Sequence, residues 1–130
     1  MSNVSGNEPQ NGPQSPTSYG TPDGDISVFA GDRNHRRAAR LNKLSDGTPV
    51  IAAGMVDEVR EHGDIHTPRA TFVLTNEFGQ STYAAADTDT LTEYSLFLMD
   101  GVEVTLHGHC RRPFDDAPPY ISVYRVEPLV

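Results

Sequence analysis

Residues 101–111 read GVEVTLHGHCR, and this stretch decides the fold. Apolar or small residues alternate strictly with polar ones along it. One face carries Val102, Val104, Leu106, Gly108 and Cys110, and the other carries Glu103, Thr105, His107, His109 and Arg111. A period of two is typical of a β-strand that has one face in a core and the other in solvent. The stretch therefore predicts a half-buried strand.

Three further strands are predicted before this one. Residues 49–60 are rich in β-branched and small residues and predict a long strand, in which Gly54 indicates a bulge or a sharp bend. Residues 69–75 and 80–86 flank the turn-forming sequence Asn76-Glu77-Phe78-Gly79 and predict a β-hairpin.

A short helix and a last strand complete the pattern. Possible capping residues at 87–90 precede apolar positions with helical spacing, which end at Asp100-Gly101. Residues 120–127 predict another strand after a proline-rich loop. The predicted order is strand, strand, strand, helix, strand, strand, within a domain of residues 48–130.

The chain before residue 48 has a different composition. Residues 1–30 are dominated by Ser, Asn, Gln, Gly, Pro and Thr, with almost no apolar side chain to bury, and they predict a disordered tail. Residues 31–47 predict a short basic helix or an arm. Asp32 can cap such a helix, and the apolar residues fall on its neighbouring faces: Ala38, Leu41 and Leu44.

The order of these elements resembles that of the OB-fold, an all-β, five-stranded Greek-key barrel with a helix between its third and fourth strands. The residues also resemble the small nucleic-acid-binding OB modules of single-strand binding proteins, DNA polymerase III alpha subunits and aminoacyl-tRNA synthetases. The matching patterns are Val50-x-Ala52-x-Gly54-x-Val56-x-x-Val59, Phe72-x-Leu74-x-Asn76-x-x-Gly79, Gly101-Val102-x-Val104-x-Leu106-x-Gly108 and Tyr120-x-Ser122-Val123-x-x-Val126. The resemblance implies both a fold and a binding function.

Two features depart from the family's pattern. Asn76 stands where many relatives carry Asp, a change that keeps the turn chemistry. Residues 82–86 read TYAAA where relatives often carry bulky aliphatic residues, which leaves the face of Tyr83 open.

The resemblance implies a binding surface across strands two and three, together with the loops that join strands one to two and four to five. Because Trp is absent, Phe and Tyr would provide the stacking surface, at about 1–3 kcal/mol per base. Arginines can contact phosphates or stack on bases. The candidate residues are Thr71, Val73, Thr75 and Tyr83 on the strands, His62, His66 and Arg69 at the first loop, and Arg111, Arg112, Phe114 and Tyr120 at the second. The basic segment is expected to add phosphate contacts through Arg33, Arg36, Arg37 and Arg40.

Each aromatic ring also has a packing interpretation. Phe72 is expected in the core, and Tyr83 fits the core and the surface equally well. Tyr120 and Tyr124 are expected to line or close the barrel. Phe114 lies amid Arg, Asp and Pro in a loop and is expected to be exposed.

The arginines likewise have a second interpretation. Arg111 and Arg112 could pair with Asp115 and Asp116 in a solvated loop network instead of contacting phosphates. The basic segment could be a solvated linker, although its concentration of bases beside an acidic domain favours a functional patch.

The charge is divided unevenly along the chain. The net charge is −8, yet residues 31–43 carry +4, and residues 44–130 carry five arginines against fourteen carboxylates, which gives −9. An acidic barrel repels a polyanion unless its cations are gathered on one surface. Either the charge is segregated or the ligand is not a nucleic acid, and an acid-biased proteome would produce the same balance.

No pattern in the sequence indicates an enzyme or a cofactor. There is no glycine-rich phosphate loop, no nucleophile elbow and no spaced pair of catalytic carboxylates. His107 and His109 share a strand face, but no third ligand is positioned beside them, because Cys110 faces the opposite way, so no metal site is expected. Cys110 is expected in the core.

A single cysteine, the lack of a signal peptide and the lack of a long apolar run predict a cytoplasmic protein without membrane contact. The leading hypothesis is non-catalytic binding of single-stranded nucleic acid, with DNA ahead of RNA. The alternative, suggested by the acidic barrel, is a module that binds or assembles with a protein partner.

Overall fold

The computed structural model describes residues 22–32, 34–67 and 69–129. This part of the chain forms seven strands, one α-helix and a single turn of 3-10 helix at Leu41–Lys43. The elements are β1 (Ser27–Ala30), β2 (Arg37–Arg40), β3 (Pro49–His62), β4 (Arg69–Thr75), β5 (Ser81–Ala86), α1 (Thr88–Tyr94), β6 (Glu103–Arg111) and β7 (Tyr120–Pro128). None of the described helices is long and apolar enough to cross a membrane.

Five of the strands close into a barrel. The long strand β3 pairs antiparallel with β6 through its first half and with β4 through its second half. β4 then pairs with β5, and β6 pairs with β7, both antiparallel. The barrel closes through a parallel pairing of β5 with β7. This strand order, with α1 between the third and fourth barrel strands, confirms the predicted OB-type barrel.

A bulge in β3 changes which residues face outward. Three steps along β3, from Asp57 to Arg60, oppose only two steps along β4, and Glu58 within this segment has a φ of 52°. The amide of Val59 donates to the Asp100 carboxylate at 3.0 Å. As a result Val59 packs against the core and Arg60 is exposed.

The bulge of β3 therefore lies between Asp57 and Arg60 and not at Gly54, while the other alternative predicted for Gly54, a sharp bend, stays a prediction. Gly54 instead allows a close approach between strands, because a Cβ there would lie 2.5 Å from the carbonyl oxygen of Thr75. Thr75, the last residue of β4, therefore lies directly beside Gly54 of β3.

The core fills the barrel with the inward residues of all five strands. Phe72 is 1% exposed and Cys110 is fully buried, so the core positions predicted for both are confirmed. Burial raises the pKa of the Cys110 thiol, because the thiolate would lose its hydration. Leu91 and Leu98 belong to the same core, and α1 packs against β4, β5 and β7.

Of the two alternatives predicted for residues 31–47, a short basic helix or an arm, the helix does not form in the part of this segment that the structure describes. Residues 37–40 form β2, which pairs with β1 in an antiparallel hairpin, and β1 pairs onto β3 at Val50 and Ile51. The apolar residues that suggested helical spacing are used differently, since Leu41 is fully buried while Ala38 is exposed.

Residues 22–30, predicted as the end of a disordered tail, are also part of the fold. Ile26, Val28 and Ala30 are at most 4% exposed and join the core. Pairing with β3 stabilises this short strand and places its alternating apolar side chains in the core. The predictions for residues 1–21 and for Arg33 lie outside the described residues.

Candidate nucleic-acid interface

Two rows of side chains cross the outer face of the barrel. Strand register aligns the first row in the order Val73, Tyr83, Tyr120 and Arg111. It aligns the second row in the order Arg60, Thr71, Ala85, Ser122 and His109. We call this surface the two-row face. It spans β4, β5, β7 and β6, with one residue from β3.

A pair of tyrosines forms the centre of the first row. Tyr83 and Tyr120 are direct partners in the parallel β5–β7 pairing, and strands in a sheet lie about 4.8 Å apart. Tyr83 is 44% exposed and Tyr120 is half-buried. Arg111, which is exposed, continues the row on one side, and Val73, which is only 6% exposed, continues it on the other. The face therefore offers adjoining aromatic rings next to a guanidinium.

Neither Tyr120 nor Tyr124 lines the interior of the barrel, although Tyr120 stands in the β5–β7 pairing that closes it. Ile121 and Val123 take the inward positions of β7, which turns Tyr120 outward. A register shift in the β6–β7 pairing leaves Tyr124 without a cross-strand partner, and its side chain is 53% exposed.

The second row has small side chains in its middle and larger polar side chains at its two ends. Thr71, Ala85 and Ser122 have small side chains, whereas Arg60 and His109 stand at the margins. The hydroxyl of Thr71 lies 2.8 Å from Nε2 of His62. The small side chains of the second row thus form a shallow strip beside the tyrosines of the first row. Arg111 stands at one edge of this surface, on β6, and Arg60 stands at the other, on β3.

The loop between β3 and β4 is organised by Asp64. Its carboxylate accepts hydrogen bonds from the amides of His66 at 2.8 Å and Thr67 at 2.9 Å. These bonds favour the ionised form and lower the pKa of Asp64. His66 and Arg69 are both exposed at this end of the two-row face.

The loop between β6 and β7 exposes one ring. Phe114 is 69% exposed, as its position in a polar loop predicted. Arg111 lies 3.8 Å from Asp46 and keeps its side chain 44% exposed. Asp46, and not the predicted Asp115 or Asp116, is the acidic neighbour of this arginine.

Arg112 is tied into the fold. Its guanidinium donates to the carbonyl oxygen of Leu44 at 2.7 Å and also to that of Asn42. Its backbone amide donates to Asp46 at 2.9 Å. Two donors of this side chain are therefore occupied in holding residues 42–46, and a phosphate contact by Arg112 stays a prediction.

The basic residues before the barrel lie at the edge of the sheet. Arg36, Arg37 and Arg40 are exposed on or beside β2, and Arg40 pairs with Asp25 at 2.9 Å. Because β1 and β2 extend from the first half of β3, these arginines do not belong to the two-row face. They form a separate positive edge.

Acidic side chains lie close to arginines of the two-row face and of the positive edge. Asp57 pairs with Val73 at the end of the first row, and Glu58 and Glu61 lie exposed beside Arg60 on β3. These carboxylates would repel the phosphates of a polyanion at positions away from the arginines. The positive charge is thus local on a negative barrel.

A histidine cluster occupies the outer face of β6 and β7. Nε2 of His107 lies 2.7 Å from the Glu127 carboxylate, which also accepts a hydrogen bond from Arg125 at 2.8 Å. The bond to His107 is the main cause that lowers the pKa of Glu127. The ring of Tyr124 lies 5.5 Å from that of His109. Among the residues that the structure describes, no three His, Cys, Asp or Glu side chains are placed to hold a metal ion.

Sequence reasoning identified both tyrosines of the first row but not their pairing. It missed Arg60, because the bulge that turns this residue outward is not visible in the alternation of β3. It also missed Ser122 and the role of His109 in the second row. The outward alternation of β7 was the signal that could have found Ser122.

No protein-family model and no curated protein matches this sequence. Solved structures do resemble it. The second single-stranded DNA-binding protein of Mycobacterium smegmatis has a TM-score of 0.52 and 16% identity, over 63% of this chain and 88% of that one. The single-stranded DNA-binding domain of a Synechococcus protein has a TM-score of 0.50 and 19% identity, over 65% of this chain and 96% of that one.

A third likeness is to a part of a larger protein. RecG, in its structure with a three-way DNA junction, has a TM-score of 0.52 and 19% identity, over 68% of this chain but only 12% of RecG. At these identities the likenesses concern the course of the backbone and not the side chains of the two-row face. The chain described here is therefore a protein with the OB fold.

Proposed function

We propose that this protein binds single-stranded nucleic acid, without catalysis, through the two-row face. The observation that carries the proposal is the in-register pair of Tyr83 and Tyr120, partly exposed beside Arg111. Aromatic rings stack on any base, and an adjacent guanidinium can contact the phosphate that follows. The shallow strip of Thr71, Ala85 and Ser122 leaves room for the sugar-phosphate backbone.

The loops and the positive edge extend this surface. Phe114 offers another ring for stacking, and Arg69 and Arg111 offer cations at opposite ends of the barrel face. The arginines of β2 lie off the two-row face, where a strand that continues past the barrel would reach them. We assign them a secondary, charge-based role.

DNA is the preferred ligand in this proposal, with RNA second. The preference rests on the Mycobacterium and Synechococcus proteins, both described as single-stranded DNA-binding, which share the backbone fold. We also place the protein in the cytoplasm, where the buried thiol of Cys110 would stay reduced.

The test is the affinity of the full chain for a fluorescein-labelled oligothymidylate, measured by anisotropy at about 50 mM and about 200 mM salt. Tyr83→Ala and Tyr120→Ala should each raise the Kd about 5- to 150-fold, as expected for the loss of about 1–3 kcal/mol of stacking. Tyr83→Phe should bind like the parent protein, because it keeps the ring. A lack of binding at the lower salt concentration would refute the proposal.

Tyr124→Ala is the matched control. It removes a tyrosine ring that is 53% exposed and belongs to neither row, although it neighbours His109 at the margin of the second row. Its Kd should stay within about twofold of the parent value, well below the cost of a lost stacking contact. An equal loss in all three alanine variants would place the ligand elsewhere. Thermal unfolding of each variant excludes loss of the fold, and an oligouridylate of the same length measures the preference for DNA.

The acidity of the barrel favours one second candidate, a module that binds a protein partner. Fourteen carboxylates against five arginines after residue 43 give this part of the chain a net charge of −9. Affinity capture from the native lysate after nuclease treatment separates the two functions. Partners that survive the nuclease, together with no oligonucleotide binding, would support the protein module.

A further inference from the structure

The bulge of β3 decides which way Arg60 points. As far as Val56, the buried residues of β3 all have even numbers. Strict alternation beyond Val56 would turn Glu58 and Arg60 toward the core. Instead Val59 packs against the core, and Arg60 is exposed in its pairing with Thr71. The extra residue of the bulge therefore gives the two-row face a cation from β3.

The backbone of this bulge is unfavourable without support from its surroundings. Among the residues that the structure describes, Glu58 is the only one other than glycine with a positive φ, at 52°. A residue with a Cβ persists in this left-handed region only where neighbouring contacts determine its conformation. Two carboxylates bind the bulge amides: Asp57 accepts from Glu58 at 2.9 Å, and Asp100 accepts from Val59 at 3.0 Å. Of these two carboxylates, only that of Asp100 comes from another part of the chain.

Asp100 is itself held against β3. The amide of Gly101 donates to the carbonyl oxygen of Val56 at 2.8 Å, and the amide of Val56 donates to that of Val102 at 2.9 Å. These two bonds fix the segment between α1 and β6 beside the start of the bulge. Asp100 is exposed, and it belongs to neither row of the two-row face. Its connection to that face runs through the hydrogen bond to Val59.

We propose that Asp100 is a positioning residue for nucleic-acid binding, an inference that rests on the proposed function. Its carboxylate holds the Val59 amide, which keeps the bulge in place and Arg60 turned outward, where the guanidinium can contact a phosphate. Without this bond the bulge loses its tie to the segment before β6, and a shift of the bulge along β3 turns Arg60 away from the two-row face. The negative charge of Asp100 has the opposite effect on binding, because it repels phosphates.

Two variants separate the hydrogen bond of Asp100 from its charge. Asp100→Ala and Asp100→Asn both remove the charge, but only asparagine keeps an oxygen that can accept the bond from Val59. The measurement is the anisotropy titration of labelled oligothymidylate at several salt concentrations. Asp100→Asn should keep the parent's slope of log K against log salt, whereas Asp100→Ala should make it shallower by up to about 0.7, the value of one phosphate contact. The Kd of Asp100→Ala should be at least about twofold above that of Asp100→Asn.

A comparison of two backgrounds assigns the effect to one arginine. In Arg60→Ala the two Asp100 variants should have the same slope and the same Kd, since the contact that Asp100 positions is already lost. In Arg111→Ala, the matched control at the other edge of the two-row face, the difference between them should persist. Partial unfolding would lower the fraction of active protein but leave the slope unchanged, and thermal unfolding of each variant measures it directly.

Equal slopes for Asp100→Ala and Asp100→Asn in the otherwise unchanged protein would overturn the inference, as would a difference between them that persists in Arg60→Ala. Both outcomes are distinct from failure of the proposed function, in which the parent protein itself does not bind oligothymidylate at low salt. That result would refute the proposed function and this inference together.

Discussion

Gly108 lies where β6 and β7 come closest together. A Cβ at this position would lie 2.2 Å from the carbonyl oxygen of Ser122 and 2.8 Å from Cγ2 of Ile121. Neither neighbour can move without opening the barrel, because Ser122 is in the β-ladder and Ile121 is in the core. This glycine is required for the close approach of the strands and not for its backbone angles.

Gly108→Ala should therefore lower the free energy of unfolding by about 3 kcal/mol, the upper part of the range for overpacking. Gly101→Ala is the control: its φ is 88°, but a Cβ there meets no atom within 4 Å. It should cost only about 1–2 kcal/mol of backbone strain. Urea denaturation of both variants measures the difference, and equal costs would contradict the steric explanation.

Among the elements, α1 shows how a short helix is held at the end of the barrel. Asp87 caps it, since its carboxylate accepts a hydrogen bond from the amide of Thr90 at 2.9 Å. That bond is the main cause that lowers the pKa of Asp87. With only seven residues, α1 depends on this cap and on the burial of Leu91.

Asp87→Ala should lower the free energy of unfolding by about 1 kcal/mol at neutral pH, whereas Asp87→Asn should keep most of the stability. Because the pKa of Asp87 is lowered in the folded state, its charge stabilises the fold above about pH 4. This contribution is lost as the pH falls through the folded-state pKa. Chemical denaturation across this acidic range should show the difference between the parent and Asp87→Ala becoming smaller as the pH falls. A constant difference at all pH values would contradict the role of the charge.

Most barrel strands could be predicted from the sequence, because each has one face in the core and alternates accordingly. β6 is the clearest case, with Val104, Leu106 and Cys110 all inward. β1 and β2 could not be predicted in this way. They have four residues each, and they are stabilised by pairing with β3, which no local pattern reveals.

The candidate site was predictable in part for the same reason. Tyr83 and Tyr120 could each be named, but a parallel pairing between strands distant in sequence has no local signal. Arg60 depended on the bulge at Glu58, which reverses the alternation of β3. The residue types of the site were thus accessible from sequence, and their arrangement required the fold.

At the scale of the whole molecule, the folded unit extends beyond the predicted boundary at residue 48. Ile26, Val28, Ala30 and Leu41 all belong to the core. Burial of an aliphatic side chain as large as valine or isoleucine contributes about 1.5–3 kcal/mol, and a whole domain is stable by only about 5–15 kcal/mol. These residues therefore carry a large share of the stability.

A fragment of residues 48–130 should consequently fail to fold cooperatively, whereas a fragment of residues 22–130 should unfold like the full chain. Circular dichroism during thermal unfolding provides the measurement. A cooperative transition of the shorter fragment near that of the full chain would show that β1 and β2 are accessory elements.

Because few arginines lie on the two-row face, the proposed nucleic-acid binding should depend only weakly on salt. Three phosphate contacts, by Arg60, Arg69 and Arg111, would give a slope of log K against log salt of about −2, since each contact to a single strand contributes about −0.7. If Arg36 and Arg37 also contact phosphates, Arg36→Ala and Arg37→Ala should each reduce the slope by about 0.7. Titrations at several salt concentrations measure this, and an unchanged slope would exclude the positive edge from the interface.

The parallel pairing of Tyr83 with Tyr120 also has a consequence for gene expression. A ribosome completes β5 well before it reaches β7, so the aromatic pair does not exist on any nascent chain that lacks its last strand. A message cut short within the codons for residues 112–119 would encode the first tyrosine without the second, on a barrel that cannot close. Such truncated products would lack both the tyrosine pair and the strand that closes the barrel.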